Sequence, residues 1–322
     1  MDEIIKDLFR PVKKFTFSLF YMQYDVYRFL RYSTLWKTKR SEQLDYKVIK
    51  AYHSLEKSLS FKNRNESSGW SAATTLIELL KNKDITTVQR KSAIRVIEVY
   101  HANTNLGLKN NNVIESFLRS EKIKGLECDI SGGTITLQSN SLLKGKLKDP
   151  EAFFNSRYSI RAFKKENISQ DTIDRALKLA SKTPSVCNRQ SWGVFHLSDK
   201  KTISKALLIQ NGNRGFSDEI NDLLVIATDL SSFDSEIERF QNWIDGGIYG
   251  MSLVYAFHSL GIGSCFLNLS LSPNKDIRLR RLLNSPAEYS FITMIAIGYP
   301  EDEVNLCVST RSSPNNYYFN VK

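Results

Sequence analysis

Three side chains that suit a phosphate group lie close together at residues 157–161. Arg157 and Arg161 are permanently charged, and the paired N–H groups of a guanidinium fit the oxygens of a phosphate. Ser159 lies between them and adds a hydroxyl donor. The pattern favours a site for a phosphorylated ligand, although two arginines near a serine are also typical of a solvated helix start.

A second stretch, residues 184–192, supplies polar groups of a different kind. Ser185, Asn188 and Gln190 are compact donors and acceptors, which can bond to the polar edge of a ring system. Trp192 ends the stretch and suits a place in the core equally well. No Ser-His-Asp, Cys-His or paired-carboxylate arrangement is recognisable in the sequence.

A helix is predicted between these two stretches. Ile173, Leu177 and Ala180 recur at spacings of three and four residues, which predicts one buried helical face within residues 168–182. Ser169 is a suitable N-cap for this helix, and a proline ends it. The helix therefore separates the two polar stretches in the chain and must position one relative to the other.

The two stretches, SRYSIRAF at residues 156–163 and ASKTPSVCNRQSW at residues 180–192, resemble the paired N-terminal motif of the flavin-dependent nitroreductase family. The resemblance implies bound FMN and a homodimer with two shared flavin sites. The residues that it carries over are Arg157, Ser159 and Arg161 for the FMN phosphate, and Ser185, Asn188 and Gln190 for the flavin of the neighbouring subunit. Two positions depart from the pattern: Tyr158 stands where Arg or His is common, and Ser191 replaces a proline.

Later segments extend the resemblance. The turn at residues 261–264 resembles a family element that passes the reactive face of the flavin, which assigns Leu267 and Asn268 to that face. GYP at residues 298–300 resembles a family turn, and an arginine after it returns to the phosphate. That resemblance assigns Arg311, with Ser309, to the phosphate. The implied partners are NAD(P)H or another reductant and a small-molecule acceptor, with the flavin N5 as the reactive atom.

Charge divides the chain into two unlike parts. Its 322 residues, 41% hydrophobic and 25% charged, are typical of a folded globular protein and allow two folding units. Residues 1–150 hold 26 Lys and Arg against 16 Asp and Glu, whereas residues 151–322 hold 19 against 18. The excess positive charge favours an anionic contact in the N-terminal half. A nucleic-acid partner is not predicted, because no nucleic-acid-binding module is recognisable.

The cysteines and the apolar segments indicate where the protein works. Cys128, Cys187, Cys265 and Cys307 are scattered, without a spacing typical of zinc sites, so reduced thiols and no metal are expected. The first residues lack the pattern of a signal peptide, and no run approaches the ~18 apolar residues of a membrane span. We therefore expect a cytoplasmic protein.

The N-terminal half is predicted to be helical and begins with an aromatic segment at residues 13–36. The rings that form a stripe on such a helix are Phe17, Phe20, Tyr21, Tyr24 and Tyr27. A basic aromatic helix can lie on an anionic membrane or glycan, but packing onto the protein is favoured because exposed rings are costly. YHSLEKSL at residues 52–59 resembles the YHxLEKGL motif of a nitroreductase-like subgroup associated with polysaccharide-biosynthesis gene clusters, with Ser58 in place of Gly.

Periodicity predicts the remaining elements. Helices are expected at residues 46–59, 72–80, 86–103, 113–121 and 235–260, and extended segments at residues 130–138, 192–197, 223–230, 264–268 and 291–298. Residues 245–258 are nearly free of charge, which predicts burial almost all round. Their three glycines are costly in a helix and predict a close approach by a second copy or by the flavin.

Together these features predict an α+β protein with a nitroreductase-like fold, a central mixed and largely antiparallel sheet flanked by helices. A mainly helical basic region, residues 1–148, precedes an FMN-binding domain, residues 149–322. The predicted function is that of an FMN-dependent oxidoreductase, with a place in polysaccharide biosynthesis suggested by the subgroup motif. The alternative is a flavin-binding accessory protein of low turnover that docks on an anionic surface or partner through its basic half.

Overall fold

The computed structural model describes residues 2–35, 41–65, 67–123 and 132–321. In the N-terminal part, the helices are α1 (Asp2–Tyr32), α2 (Ser41–Ser60), α3 (Trp70–Leu80), α4 (Thr87–Ala102), α5 (Leu108–Ile123) and α6 (Ser139–Leu142). The C-terminal part contains α7 (Pro150–Asn155), α8 (Gln170–Ala180), β1 (Trp192–Leu197), α9 (Lys200–Ile209), β2 (Asp222–Asp229), α10 (Gln241–Ser259), β3 (Gly263–Leu267), α11 (Pro273–Leu283) and β4 (Tyr289–Gly298).

The helices from α2 to α5 pack around a core of their own. Apolar residues at helical spacing face inward, and the fully covered ones include Leu55, Leu76, Ile97, Tyr100 and Ile114. The extended segment predicted at residues 130–138 begins outside the described residues. From residue 132 onward it forms no strand, and Ile135 and Leu137 are exposed. Its short alternation of apolar and polar residues finds no neighbouring strand to pair with.

A four-stranded sheet with the order β1-β2-β4-β3 forms the centre of the C-terminal part. All its strand pairs are antiparallel, and a single bridge between Ser159 and Ser264 supplies the parallel pairing among the described residues. Helices α8 and α10 cover one face, while α9 and α11 cover the other. Every residue of β2 is buried, as its continuous apolar run predicts. The predicted α+β class and largely antiparallel sheet are confirmed.

The glycine-rich helix α10 is shorter and less buried than predicted. It begins at Gln241, after a separate turn, rather than at residue 235. Burial almost all round is wrong for the single chain, because one face is exposed, with Trp243, Ile244 and Ile248 on it. Gly246 lies on the covered face, where a Cβ atom would come within 2.6 Å of Ile292 Cγ1. The chain's own sheet therefore requires this glycine.

The long helix α1 also differs from the prediction. Packing of its aromatic rings onto the protein was the favoured interpretation, yet Phe17, Phe20, Tyr21 and Tyr27 are exposed. Its last turns make the contacts: the Tyr24 hydroxyl donates to Asp276 Oδ2 at 2.6 Å. Residues 11–23, which precede these contacts, are all exposed. None of the described helices combines the length and the apolarity needed to cross a bilayer.

Hydrogen bonds and ion pairs join the two parts of the chain. Lys50 Nζ of α2 lies 2.7 Å from Asp234 Oδ1, and the Tyr46 hydroxyl donates to Asp229 Oδ2 at 3.2 Å. Thr34 N donates to the Phe233 carbonyl at 2.9 Å. The predicted division at residue 148 falls between α6 and α7 and stays a prediction. The N-terminal helices contact the end of β2 and the loop that follows it directly.

Candidate active site

A cavity of about 730 Å³ opens beside α7, α10, β3 and the C-terminal segment. It brings together four of the predicted phosphate-binding residues from distant parts of the chain: Arg157, Ser159, Ser309 and Arg311. Among the described residues that line it there is no Asp or Glu. Two guanidinium groups and two hydroxyls without a carboxylate are a donor set for an anion. That these residues hold a phosphate stays a prediction.

The short helix α7 carries the chain to Arg157. Asp149 caps it, since its Oδ1 accepts from Ala152 N at 2.8 Å. The Phe153 ring lies 5.0 Å from the His258 ring, and Nε2 of that histidine lies 2.9 Å from the Phe153 carbonyl oxygen. These contacts fasten α7 to the end of α10, so Arg157 leaves the helix at the mouth of the cavity.

The segment after Arg157 lies against the sheet because two glycines leave room for it. Ile160 N donates to the Ser264 carbonyl at 2.9 Å. A Cβ atom at Gly263 would lie 2.9 Å from Ile160 Cγ1, and one at Gly298 would lie 2.7 Å from Phe163 Cδ1. Larger residues there would push the segment away from β3 and β4, and Ser159 with it.

Apolar side chains form the rest of the cavity wall. Met251, Val254 and Tyr255 come from α10 and Phe266 from β3. Sequence reasoning missed these four residues, although the uncharged second half of α10 was a signal that could have found them. A wall of this kind suits a planar apolar ring, whereas the guanidinium groups suit a charged end.

Arg161, the remaining residue predicted to bind the phosphate, does not line the cavity. Its Nη1 lies 3.6 Å from Cys307 Sγ, and its guanidinium lies 5.9 Å from the centre of the Phe216 ring. Burial raises the pKa of the nearby Cys265 thiol, and the positive charge of Arg161 opposes that effect. The thiol of Cys265 is therefore expected to stay protonated, which does not suit a nucleophile.

The residues predicted to contact the ring of the neighbouring subunit's flavin lie away from the cavity and bond to one another. Gln190 N donates to Ser185 Oγ at 2.9 Å, and Gln190 Nε2 donates to Asn188 Oδ1 at 3.3 Å. The backbone at Cys187, Asn188 and Gln190 has φ values of 50°, 54° and 51°. This left-handed conformation is uncommon for residues with a Cβ, so surrounding contacts must hold it.

Arg189 provides those contacts, and sequence reasoning missed it. The side chain is buried, and Nη1 donates to the Ser232 carbonyl at 2.7 Å and to Glu238 Oε2 at 3.3 Å. A second bond joins Nη2 to Glu238 Oε1, so the pair is bidentate. Nothing in the sequence distinguished this arginine from a solvated one, because Glu238 is far away along the chain.

Helix α10 anchors the same loop from a second side. Val186 N donates to Asp245 Oδ2 at 3.2 Å. Burial raises the pKa of Asp245, while hydrogen bonds from Gln241 and Val186 act in the opposite direction. The loop at residues 184–190 is therefore held by a buried arginine and a buried aspartate.

The remaining predicted residues also lie outside the cavity. Leu267 is buried in the core under the sheet. Asn268 Oδ1 accepts from Ser270 N at 2.7 Å, and the Asn268 carbonyl accepts from Gln210 Nε2 at 2.8 Å. The described part of the chain contains no group of three or more side chains placed to hold a metal ion.

Comparison with known sequences relates this part of the chain to one family. Residues 155–213 match the model of the nitroreductase family. Two relatives bear the name "Putative NADH dehydrogenase/NAD(P)H nitroreductase". The one from Archaeoglobus fulgidus is 27% identical over 151 residues, which are 46% of this chain and 83% of the relative. The one from Methanothermobacter thermautotrophicus is 23% identical over 149 residues, 46% of this chain and 75% of the relative.

Solved structures of similar proteins carry related names. An FMN-dependent nitroreductase from Clostridium difficile is 24% identical and has a TM-score of 0.45, with 53% of this chain and 98% of that chain covered. A protein from Desulfovibrio desulfuricans, described as a nitroreductase in complex with FMN, is 19% identical with a TM-score of 0.45, and 53% and 95% are covered. The family match at residues 155–213 confirms the predicted nitroreductase-like fold.

Proposed function

We propose that the chain is an FMN-dependent oxidoreductase and that FMN occupies the cavity beside α10. The observation that carries the proposal is that two arginines, Arg157 and Arg311, line the same cavity as a set of apolar side chains. FMN needs both kinds of partner, because it carries a terminal phosphate and a planar ring. The match of residues 155–213 to the nitroreductase family supports the proposal.

Each side of the cavity has a task. Arg157 and Arg311 neutralise the phosphate, and Ser159 and Ser309 add hydroxyl donors. Met251 and Phe266 exclude water from one part of the ring. Bound FMN supplies hydride acceptance and donation at its N5. The side chains of the cavity are assigned to binding and orientation of the cofactor.

We further propose NAD(P)H as the reductant and a small molecule as the acceptor, since the relatives' names include NADH and NAD(P)H. The protein acts as a homodimer in which the loop at residues 184–190 contacts the flavin of the other copy. The exposed side chains of Trp243, Ile244 and Ile248 supply apolar surface for such a dimer. We propose a cytoplasmic location, which agrees with the absence of disulfide bonds among the three described cysteines. The motif at residues 52–59 suggests that the reaction belongs to polysaccharide biosynthesis.

One observation favours a second candidate, a flavin-binding accessory protein of low turnover. Lys13 and Lys14 are exposed on α1, where they could contact an anionic surface. The two candidates differ in their reaction with reductant. An enzyme loses its yellow colour when NADH or NADPH is added and regains it with an acceptor, whereas an accessory protein keeps its colour.

The experiment begins with the purified protein. The chromophore is released by denaturation and identified by chromatography, and FMN rather than FAD is expected because the cavity offers a site for one terminal phosphate. Stopped-flow absorbance then follows flavin bleaching by NADH and NADPH. A colourless protein that takes up no added FMN would overturn the assignment of the cavity.

A further inference from the structure

One face of α1 carries apolar side chains that the described part of the chain leaves exposed. We call this face the α1 seam and define it as Val12, Phe15, Leu19, Met22 and Val26. Their exposed fractions are 59%, 66%, 45%, 65% and 56%. Five large apolar side chains in a single row, all about half exposed or more, form a patch of the kind that marks an interaction surface.

The spacing of the α1 seam indicates its partner. Successive members lie three, four, three and four residues apart, and Leu8 and Ile5 continue the same spacing toward the N-terminus of the sequence. This is the a/d repeat of a coiled coil, in which apolar residues recur every 3.5 residues on average. Val12 and Val26 occupy a positions, where β-branched residues favour two strands. The natural partner of such a face is another helix with the same repeat.

The remainder of the protein leaves the α1 seam free to pair. At 100° per residue, Tyr24 and Arg28 lie about 180° around the helix axis from the centre of the seam. These two residues fasten α1 to its own chain: Tyr24 donates to Asp276 Oδ2, and Arg28 Nη2 donates to the Tyr289 carbonyl at 2.8 Å. These contacts hold α1 from behind, and within the described part of the chain every member of the seam stays about half exposed or more.

The charges beside the α1 seam favour a second copy over an anionic bilayer. The positions that flank the α1 seam are 11, 16, 18, 23 and 25, and Asp25 is the charged residue among them. A bilayer in contact with the seam would have to accept this carboxylate at its edge. Lys13 and Lys14 lie on the far side of the helix from the seam and stay in water when two seams pair. Two copies would thus join apolar faces without facing rows of like charge.

Apolar surface continues from the α1 seam onto α10. Met22 and Val26 line a groove of about 480 Å³ together with Phe240 and Trp243, and both of these α10-side rings are exposed. We propose that α1 pairs through its seam with the α1 of a second copy, as a two-stranded coiled coil. The residues that match the nitroreductase family, 155–213, contain no part of α1.

Photocrosslinking of the full-length protein tests this pairing. The photoreactive residue p-benzoylphenylalanine replaces Phe15 in the seam or, as a control, Lys14 on the opposite face. Irradiation of the Phe15 variant is expected to give a covalent dimer whose crosslink maps by mass spectrometry to α1 of the other chain, in a parallel or an antiparallel pair alike. The Lys14 variant is expected to give little product. Equal yields, no dimer, or a crosslink that maps to the sheet would overturn the proposal.

Two double substitutions provide a matched pair. Leu19→Glu with Met22→Glu puts carboxylates into the α1 seam, and we expect the Phe15 crosslink to fall by at least about tenfold because like charges meet there. Lys13→Glu with Lys14→Glu introduces the same residues on the far face and should leave the crosslink unchanged. A crosslink that survives the seam substitutions would contradict the proposal.

Lipid and flavin measurements separate the alternatives. Irradiation with vesicles of anionic phospholipid shows whether Phe15 reacts with lipid instead. If it does so while no protein dimer forms, the seam is a membrane contact and the pairing is wrong. Bound FMN, measured by absorbance, is an independent readout: its absence would count against the proposed function, whereas the α1 crosslink would remain.

Discussion

The cavity and the loop at residues 184–190 show opposite relations between sequence and space. Arg157 and Arg311 are far apart in the chain, yet they line the same cavity. Arg157 and Ser185 are much closer in the chain, yet Ser185 bonds within its own loop and does not line the cavity. In a single copy the cavity brings together predicted phosphate-binding residues from distant parts of the chain, whereas the loop is held away from the cavity by Arg189 and Asp245. Two stretches that belong to one sequence motif, residues 156–163 and 180–192, therefore need not form one site within a single chain.

The largest effect is expected at the arginine that holds the loop. Arg189→Met should lower the free energy of unfolding by about 3–5 kcal/mol, because it leaves Glu238 without its buried partner. Urea denaturation of both proteins measures the difference. Glu238→Gln keeps one acceptor for Arg189 and should cost less. If Arg189→Met were as stable as wild type, the buried pair would not hold the loop, and the contrast with the cavity would disappear.

The next effect concerns the cationic end of the cavity. Arg157→Ala and Arg311→Ala should each weaken FMN binding by about 1.5–3 kcal/mol, since each removes a charge-assisted hydrogen bond. Fluorescence titration of the flavin-free protein gives the dissociation constants. Arg175→Ala, at an exposed position on α8, is the matched control and should bind FMN like wild type. Normal binding by the Arg311 variant would remove that residue from the site.

Helix α10 borders both regions, and two neighbouring glycines test what covers it. Gly246→Ala should destabilise the protein by about 1–3 kcal/mol, because the new Cβ would overlap Ile292. At Gly247 no described atom outside the helix's own backbone lies within 4 Å of a new Cβ, so Gly247→Ala should gain up to ~1 kcal/mol from helix propensity. Thermal unfolding compares the two. A loss at Gly247 that grows with protein concentration would show that a second copy packs there.

The smallest effect is a pH dependence at Asp245. Burial raises its pKa, so the folded state binds the proton more tightly than the unfolded state does. The resulting stabilisation is fully present below the ordinary aspartate pKa of ~4 and is lost as the pH rises through the raised value. The stability of wild type relative to Asp245→Asn should therefore fall as the pH rises through this window. Urea denaturation at several pH values measures it, and a difference that rises with pH would contradict the assignment.

Local pattern predicted the elements better than their environment. The alternation and the apolar runs located β1, β2, β3 and β4 to within about two residues, and Ser169 caps α8 as expected. Burial was predicted less well. The rings of Phe17 and Phe20 were expected to be covered and are exposed, because hydrophobicity indicates that a face needs cover but not whether the same chain supplies it.

By itself the sequence predicted most of the longer helices, the four strands of the sheet and the cluster of phosphate-suited side chains at residues 157–161, since these depend on spacing and side-chain chemistry. Tertiary structure decided which members meet: Arg157 joins Ser309 and Arg311 at the cavity, while Arg161 turns to Cys307. It also decided that Arg189 is a buried anchor. The physical reason is that the direction of a side chain and the partner it reaches are set by contacts between segments far apart in the chain, which no local spacing encodes.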